Sequence, residues 1–242
     1  MLRFKEKRLV YRYMIYVTGD MHGEAERFSD SAIRKLKRGD YLIVCGDFGF
    51  LWDNSPKERA FLKKLSRKKF TTLFIDGTHE NFNLLNSYEI SKWNGGKVHL
   101  INEKVIHLLR GQVYEIDDQT IFTMGGGISS DIDIRFENES WSSDEIPSKE
   151  ELVEGVDNLE RCDGKVDLVI THEPPSKLKE FMLLNEHKPA NISGINTYLQ
   201  EMSEVCSFNH WYFGSLHIDK FISQNHVSVF KNVINAKTGE KV

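Results

Sequence analysis

Runs of apolar residues alternate with amphipathic segments through the first third of the chain. Three runs predict buried strands, Met14–Thr18, Tyr41–Cys45 and Thr71–Asp76, because each is short, apolar and rich in β-branched or aromatic residues. The segments between them, Glu24–Lys37 and Pro56–Arg67, predict helices, and Pro56 would occupy the first helical turn, where proline is favoured. The order strand, helix, strand, helix, strand is typical of an α/β protein.

The middle and the end of the chain are richer in strands. Ser148 is predicted to open a helix that extends to about Arg161, because Ser148, Lys149, Glu150 and Glu151 form a capping box. Another helix is predicted near Ile195–Cys206, and Arg135–Pro147 is predicted to be an irregular surface loop. The remaining predicted strands are Lys97–Ile101, Val105–Ile116, Gln119–Met124, Val166–Thr171, Trp211–Phe213 and a β-rich tail from Lys220 to Ile234.

Length and composition are those of an ordinary globular protein. The chain has 242 residues, of which 40% are hydrophobic and 28% charged, so it is long enough for one sizeable core. We expect a single domain over residues 14–242, preceded by a basic extension over residues 1–13. The extension is a solvated segment, a basic arm that touches nucleic acid, or the product of a start codon upstream of Met14. Its basic residues are Arg3, Lys5, Lys7, Arg8 and Arg12.

The chain carries no signal for an oxidising or membrane environment. Cys45, Cys162 and Cys206 are widely spaced and include no C-x-x-C pair, which fits a reducing compartment better than a disulfide framework. No apolar run approaches the roughly 18 residues of a membrane span, and no signal peptide is recognisable. A net charge of -4 creates no general attraction to nucleic acid or anionic membranes. We therefore expect a cytoplasmic protein without membrane contact.

Polar side chains follow five of the predicted strands, at the points where these strands end. Because ligands of open α/β sheets bind at the carboxyl ends of the strands, we expect these side chains to converge. Carboxylate and imidazole together suit a divalent cation such as Mn, Fe, Zn, Co or Ni, and a carboxylate has two oxygens with which to bridge a second cation. Taken singly, each residue is more commonly a turn former or an ordinary imidazole, but their order after successive strands favours one site. The residues are Asp20, His22, Asp47, His79, His172 and His217.

The order of these motifs resembles that of the calcineurin-like metallophosphoesterases. The family motifs are D-x-H, G-D-x-x, G-N-H-[ED], H and G-H-x-H, and the similarity covers roughly residues 14–219. Gly19–Gly23 and Glu80 are similar to the serine/threonine phosphatase branch, but the arginine that this branch carries after its second motif is missing from Gly46–Trp52. The whole chain looks more like a small bacterial or phage member. The resemblance implies an α/β sandwich of two mixed β-sheets flanked by helices, in four layers.

The resemblance also implies a set of metal ligands. Asp20, His22 and His217 would bind a first divalent ion. Asp47 would bridge this ion to a second one, which His172 would also bind. The cofactor implied is therefore one or two divalent ions, with manganese as a representative.

Two positions depart from the family pattern. Thr78 stands in place of an asparagine and Ser215 in place of a histidine, and both replaced residues bind the second metal. A hydroxyl is a poor neutral ligand for a divalent ion, so the second site is expected to be weak, completed by water, or empty. His79 would be the acid catalyst rather than a ligand.

These observations predict metal-dependent hydrolysis of a phosphoester. A metal-bound hydroxide would attack phosphorus and His79 would protonate the leaving oxygen. The expected substrate is a phosphorylated small molecule or a nucleotide, as monoester or diester. Arg110 is either an additional phosphate ligand or an ordinary surface arginine. Two alternatives remain: a non-catalytic or weakly active relative that binds one metal or a partner, favoured by Thr78 and Ser215, and a nuclease, disfavoured because no basic-aromatic groove is evident.

Overall fold

Two mixed β-sheets flanked by helices form the protein, in a computed structural model that describes residues 13–129, 131–137, 141–185, 187 and 190–242. This architecture confirms the predicted fold class. The strands are β1 Ile15–Thr18, β2 Tyr41–Cys45, β3 Thr71–Ile75, β4 Ile90–Trp93, β5 Gly96–Asn102, β6 Val105–Leu108, β7 Gln112–Ile116, β8 Gln119–Met124, β9 Leu168–Thr171, β10 His210–Phe213, β11 Lys220–Phe221, β12 His226–Ser228 and β13 Ile234–Asn235. The α-helices are α1 Ser31–Arg34, α2 Pro56–Leu65, α3 Phe82–Leu85, α4 Ile132–Glu137, α5 Lys149–Glu160, α6 Ser176–Asn185 and α7 Gly194–Val205, and two 3-10 helices cover Ala25–Ser29 and Ser143–Glu145.

Each sheet has parallel strands at its centre and antiparallel strands at its edges. The first sheet has the order β13-β1-β2-β3-β6-β5-β4, in which β1, β2, β3 and β6 are parallel. The second sheet has the order β11-β12-β10-β9-β8-β7, in which β12, β10, β9 and β8 are parallel. Parallel neighbours bring the loops that follow their carboxyl ends to one edge of the sheet.

Three apolar clusters separate the four layers. Along β2, Ile43 and Cys45 face the second sheet, whereas Leu42 and Val44 pack with residues of α1 and α2 on the outer face. The outer face of the second sheet packs in the same way against α5 and α7. Strands buried on both faces have few polar positions, which is why they appear in the sequence as continuous apolar runs.

Two predicted elements are wrong because the chain interrupts them. The helix predicted over Glu24–Lys37 is a 3-10 helix and the short α1, separated at Asp30, whose carboxylate accepts a hydrogen bond from Ala32 N at 2.7 Å and caps α1. The strand predicted over Val105–Ile116 is two strands, β6 and β7, which belong to different sheets. The chain turns between them at Gly111, whose φ of +68° and close approach to the backbone of α5 require glycine.

Two further segments are more helical than the sequence pattern predicts. The loop predicted over Arg135–Pro147 includes the end of α4 and a 3-10 helix, with residues 138–140 outside the described part. The unpredicted α6 begins at Ser176, directly after Pro174 and Pro175. In contrast, the capping box at Ser148 is confirmed at the start of α5.

The predicted basic extension lies outside the described residues except for Tyr13. The ring of Tyr13 fills the space that a side chain at Gly39 would need, in the turn before β2. None of the helices in the described part is long and apolar enough to span a membrane.

Candidate metal centre

Five loops, each following a strand, bring the residues predicted for the site to one end of the sandwich. Three of these loops follow β1, β2 and β3 of the first sheet, and two follow β9 and β10 of the second. The site therefore draws on both sheets, which fixes its parts relative to each other through the core between them. In chain order the loops carry Asp20 and His22, Asp47, His79, His172 and His217.

Asp20, His22, Asp47 and His217 each direct a ligand atom to a common point. These atoms all lie within 4.8 Å of one another. Nε2 of His217 is 2.9 Å from Nε2 of His22 and 3.0 Å from Oδ2 of Asp20, and Nε2 of His22 is 3.7 Å from Oδ2 of Asp47. Atoms bound to one ion at about 2.0–2.2 Å are separated by roughly 3–4 Å, so these spacings suit a shared cation.

The carboxylate of Asp20 offers a test of whether a cation fits this site. Its Oδ2 is buried and has no hydrogen-bond partner among the described residues, although Nε2 of His217 approaches it. A buried polar atom without a partner costs about 1–3 kcal/mol, and more when it is charged. A divalent cation would satisfy this oxygen and the imidazole nitrogens beside it, so the donor set fits a borderline ion of the Mn or Zn type.

The loops of the site contain several residues in the left-handed region of φ. His22, Asp47, Ser215 and His217 have φ values of 46°, 44°, 49° and 52°. For residues other than glycine this conformation costs about 1–2 kcal/mol, and it is concentrated at functional sites. Contacts within the site hold this backbone conformation. The backbone N–H groups of Met21 and His22 donate to Asp47 O at 3.0 and 2.8 Å.

Two glycines of the motifs make room for the site side chains. A side chain at Gly46, where φ is +103°, would overlap the ring of His172, with Nδ1 only 2.0 Å away. A side chain at Gly77 would overlap Oδ1 of Asp47 at 2.0 Å. Gly46 and Gly77 are therefore required by close packing at the site.

His172 lies beneath the cluster, almost fully buried. Its Nδ1 contacts Cys45 O at 3.2 Å, and its Nε2 lies 3.9 Å from Oδ1 of Asp47. Burial alone would lower the pKa of His172, but the carboxylates of Asp47 and Asp20 outweigh it and raise the pKa to about 9. When Nδ1 donates to the carbonyl, Nε2 is available as a ligand on the Asp47 side, as the predicted second site requires.

Thr78 and Ser215 do not add an obvious ligand for a second cation. The hydroxyl of Thr78 is buried and lies 3.1 Å from Nδ1 of His79. Ser215 donates its backbone N–H to Oδ1 of Asp20 at 3.4 Å. Among the described residues, the converging group of ligand atoms does not extend to His172. The strength of the second site therefore stays a prediction.

His79 is held against the carboxylate of Asp47. Its backbone N–H donates to Oδ1 at 2.8 Å, and its Nδ1 lies 3.1 Å from Oδ2. This contact raises the pKa of His79 above its ordinary value, because the carboxylate stabilises the imidazolium, while burial opposes the shift. Nε2 lies 3.4 Å from Oδ1 of Asp131, just before α4, a neighbour that no sequence motif indicated.

Glu80 fixes the loop that presents Asp47. Its buried carboxyl group accepts hydrogen bonds from the backbone N–H groups of Phe48 at 2.7 Å and Gly49 at 3.4 Å. Burial, together with the charge of Asp47, raises the pKa of Glu80 to about 8. Glu80 therefore holds a proton more readily than an ordinary glutamate.

Arg27 joins two distant segments at the edge of the site. Its guanidinium donates to Asp20 O at 2.8 Å, to the hydroxyl of Thr18 at 2.9 Å and to Phe230 O at 2.6 Å. The ring of Phe230 in turn stacks on His217, with ring centroids 4.8 Å apart. Arg27 thus positions ligands from both ends of the chain, and no motif signalled this role.

Arg110 is neither a surface arginine nor free to bind phosphate. Its Nε and Nη2 donate to Oδ2 of Asp76 at 2.8 and 2.6 Å, Nη2 also donates to Asp144 O at 2.7 Å, and Nη1 donates to Glu151 at 3.2 Å. The side chain is buried over the ring of Phe82. The structure therefore corrects the sequence-based expectation in favour of a structural role.

Comparison with known proteins agrees with this geometry. The model of the calcineurin-like phosphoesterase family matches residues 13–231, which includes every residue of the candidate site. No curated protein matches the chain at a significant level. Since the family match covers most of the sequence, the chain belongs to the calcineurin-like phosphoesterases.

Proposed function

We propose that this protein hydrolyses monoesters or diesters of phosphate in small molecules or nucleotides, using a divalent cation and His79 as general acid. Family membership and the Asp/His cluster support metal-dependent phosphoester hydrolysis in general. The observation that carries the proposal is the convergence of four ligand atoms within 4.8 Å beside a half-exposed His79. Manganese is our choice of cation because the donors mix carboxylate with imidazole.

The ligands Asp20, His22, Asp47 and His217 would hold the cation at the bottom of the site. A divalent ion bound there supplies Lewis acidity, which lowers the pKa of water and offsets the negative charge of phosphoryl oxygens. His22 and His217 have side chains 31% and 47% exposed, whereas both carboxylates are buried. The imidazole side of the cluster therefore faces the solvent, from which a phosphoester would approach.

His79 is the group best placed to transfer a proton. Its Nδ1 is taken by Asp47, and its Nε2 points away from the carboxylate towards Asp131. The ring is 35% exposed, and a leaving oxygen would take the place of Asp131 beside Nε2. The carboxylate of Asp47 raises the pKa of His79 and so favours the protonated ring, which is the form a general acid needs.

A second candidate function is that of a weakly active relative that binds one cation. The observation that favours it is the hydroxyl of Thr78, which contacts His79 at 3.1 Å where the family has a metal-binding amide. Such a protein would keep the cluster around Asp20 but would hold a phosphoryl group less firmly.

An assay on two synthetic esters separates these functions. Protein freed of metal with a chelator is mixed with an aryl phosphate and an aryl phosphodiester, before and after addition of Mn²⁺. We expect no turnover without metal and restored turnover with it, and the preferred ester identifies the class. Full activity of the metal-free protein would contradict the proposal. Tight Mn²⁺ binding without turnover of either ester would support the second candidate.

A further inference from the structure

A strongly basic surface lies where the parallel strands of the first sheet begin, at the end of the sheet opposite the metal centre. Residues 31–70 contain eleven Lys and Arg but only four Asp and Glu, although the whole chain has 32 and 36. The basic edge, as we call it, consists of eight exposed side chains. They are Arg34, Lys35, Lys37, Arg38, Lys63, Lys64, Arg67 and Lys69.

The parallel sheet brings these residues together. Because β2 and β3 are parallel neighbours, the turns that precede them lie side by side, and Gly39 N donates to Lys69 O at 3.3 Å. Lys68, which follows α2, donates to Phe28 O in the first 3-10 helix at 3.1 Å. Burial lowers the pKa of Lys68, and the charges of Lys64 and Arg34 lower it further, as neighbouring cations do. The ends of both helices and both turns therefore form one positive surface.

Among the described residues, acidic side chains do not compensate the charge of the basic edge. Elsewhere, Lys97 is paired with Glu154 at 2.6 Å and Lys177 with Glu204 at 2.8 Å. In the part of the chain that the structure describes, none of the eight side chains has a carboxylate within 4.0 Å. Asp40, which lies among them, is buried and accepts hydrogen bonds from backbone N–H groups. Such a surface attracts a polyanion.

The other residues at this edge indicate which polyanion fits. Binding to a bilayer uses apolar side chains that enter the lipid, and binding to single-stranded nucleic acid uses aromatic rings on which bases stack. The large apolar side chain exposed at this edge, among the described residues, is Tyr13, at 42%. One exposed ring supplies neither the apolar face that enters a bilayer nor the several rings on which the bases of a single strand stack. Lys and Arg accompanied by a single exposed aromatic ring suit the phosphates of a duplex, which are contacted without reading the bases.

We propose that the basic edge binds the phosphate backbone of duplex nucleic acid, without sequence preference, as a docking surface separate from the metal centre. DNA and RNA duplexes share this chemistry, so the experiment includes both. The proposal does not depend on the proposed hydrolysis, because the surface and the cluster lie at opposite ends of the strands.

The test compares two variants that change the net charge equally. Lys37→Glu, Lys64→Glu and Arg67→Glu are combined in one protein, and Lys92→Glu, Lys149→Glu and Lys177→Glu, exposed positions away from the edge, in the control. Binding of labelled 20-base-pair DNA and RNA duplexes is measured by fluorescence anisotropy at 50 to 200 mM salt. A chelator is present throughout, so that no metal-dependent hydrolysis consumes the probe. Circular dichroism confirms that both variants are folded.

We expect the natural protein to lose about 10²–10³-fold in affinity across this salt range, as about five phosphate contacts predict. The edge variant should bind at least about 30-fold more weakly at 50 mM salt, and its log-log salt slope should be smaller by about three. The control should stay within about fivefold of the natural protein. A preference for DNA or for RNA would identify the source of the duplex and support the proposal.

Other results would overturn it. Equal losses in the two variants would mean that net charge, not this surface, attracts the duplex. Absence of binding at 50 mM salt would exclude the docking role. Binding to phosphatidylserine vesicles, or salt-dependent self-association that the edge variant loses, in each case without duplex binding, would assign the surface to a membrane or to a second copy of the chain.

Discussion

Replacing Arg110 with methionine separates a structural arginine from a phosphate ligand. The guanidinium donates twice to Oδ2 of Asp76, at 2.8 and 2.6 Å, and both side chains are almost fully buried. Methionine keeps most of the volume of the arginine stem but removes the charge. Among the described residues, the carboxylate of Asp76 would then retain the contact with His107 alone, whose Nε2 lies 3.2 Å from Oδ1. Arg110→Met therefore leaves a buried charge with half of its partners.

The magnitude follows from the burial of this pair. Removing one partner of a buried ion pair costs about 3–5 kcal/mol, because the desolvated charge that remains is uncompensated. The contact with Glu151, which is 38% exposed, adds little. For a chain of this size, such a loss corresponds to a fall in Tm of roughly 6–20 °C. Asp76→Asn introduced together with Arg110→Met should recover at least about 1 kcal/mol relative to the sum of the single changes.

Urea unfolding of the natural protein, both single variants and the double variant measures these free energies. Arg38→Met, a change at an exposed arginine, is the control and should cost less than about 0.5 kcal/mol. Below the unfolding temperature, the KM of Arg110→Met for an aryl phosphate should stay within about twofold. Unchanged stability together with a tenfold higher KM would refute the structural role and restore Arg110 as a phosphate ligand.

Three further changes test other parts of the account. His79→Ala should lower turnover of esters with poor leaving groups by about 10²–10⁴ without changing metal content, and equal losses on good and poor leaving groups would count against the acid role. Thr78→Asn with Ser215→His should tighten a second Mn²⁺ site by about 10²–10⁴ in calorimetry, and two tight ions in the natural protein would show the hypothesis to be wrong. Burial alone would raise the pKa of Asp76, but Arg110 outweighs it and holds that pKa well below its usual range. The contribution of this carboxylate is therefore present above about pH 3.9 and is lost as the pH falls further, so Asp76→Asn should weaken the loss of stability in acid, and identical acid profiles would contradict this reasoning.

Local sequence signals predicted the elements whose burial is uniform. The bounds of β2 and β8 agree with their apolar runs, because strands covered on both faces leave few polar positions. The same signal wrongly predicted one strand over Val105–Ile116, because the apolar pattern continues from β6 of the first sheet into β7 of the second. The turn between the two strands depends on how Gly111 packs against α5. Periodicity also could not show that Asp30 would cap a new helix inside Glu24–Lys37.

The sequence predicted those residues of the candidate site that belong to motifs at the ends of strands. Asp20 and Asp47 are adjacent because parallel strands end at one edge, a rule that needs no tertiary information. Arg27 and Asp131 could not be found in this way, since their partners lie in segments far along the chain and neither residue belongs to a motif. The role of Arg110 depended on whether its donors would meet Asp76, which only the fold decides.

The most direct test of the central claim is a titration of Mn²⁺ into metal-free protein, with bound metal per chain and turnover of an aryl phosphate measured in the same samples. We expect no turnover at zero metal and turnover that rises together with occupancy of the cluster. Asp47→Asn should remain folded, bind Mn²⁺ at least about 10²-fold more weakly and be almost inactive, because it weakens a ligand while keeping its shape. Full turnover without bound metal, or Asp47→Asn with natural affinity and activity, would contradict the account.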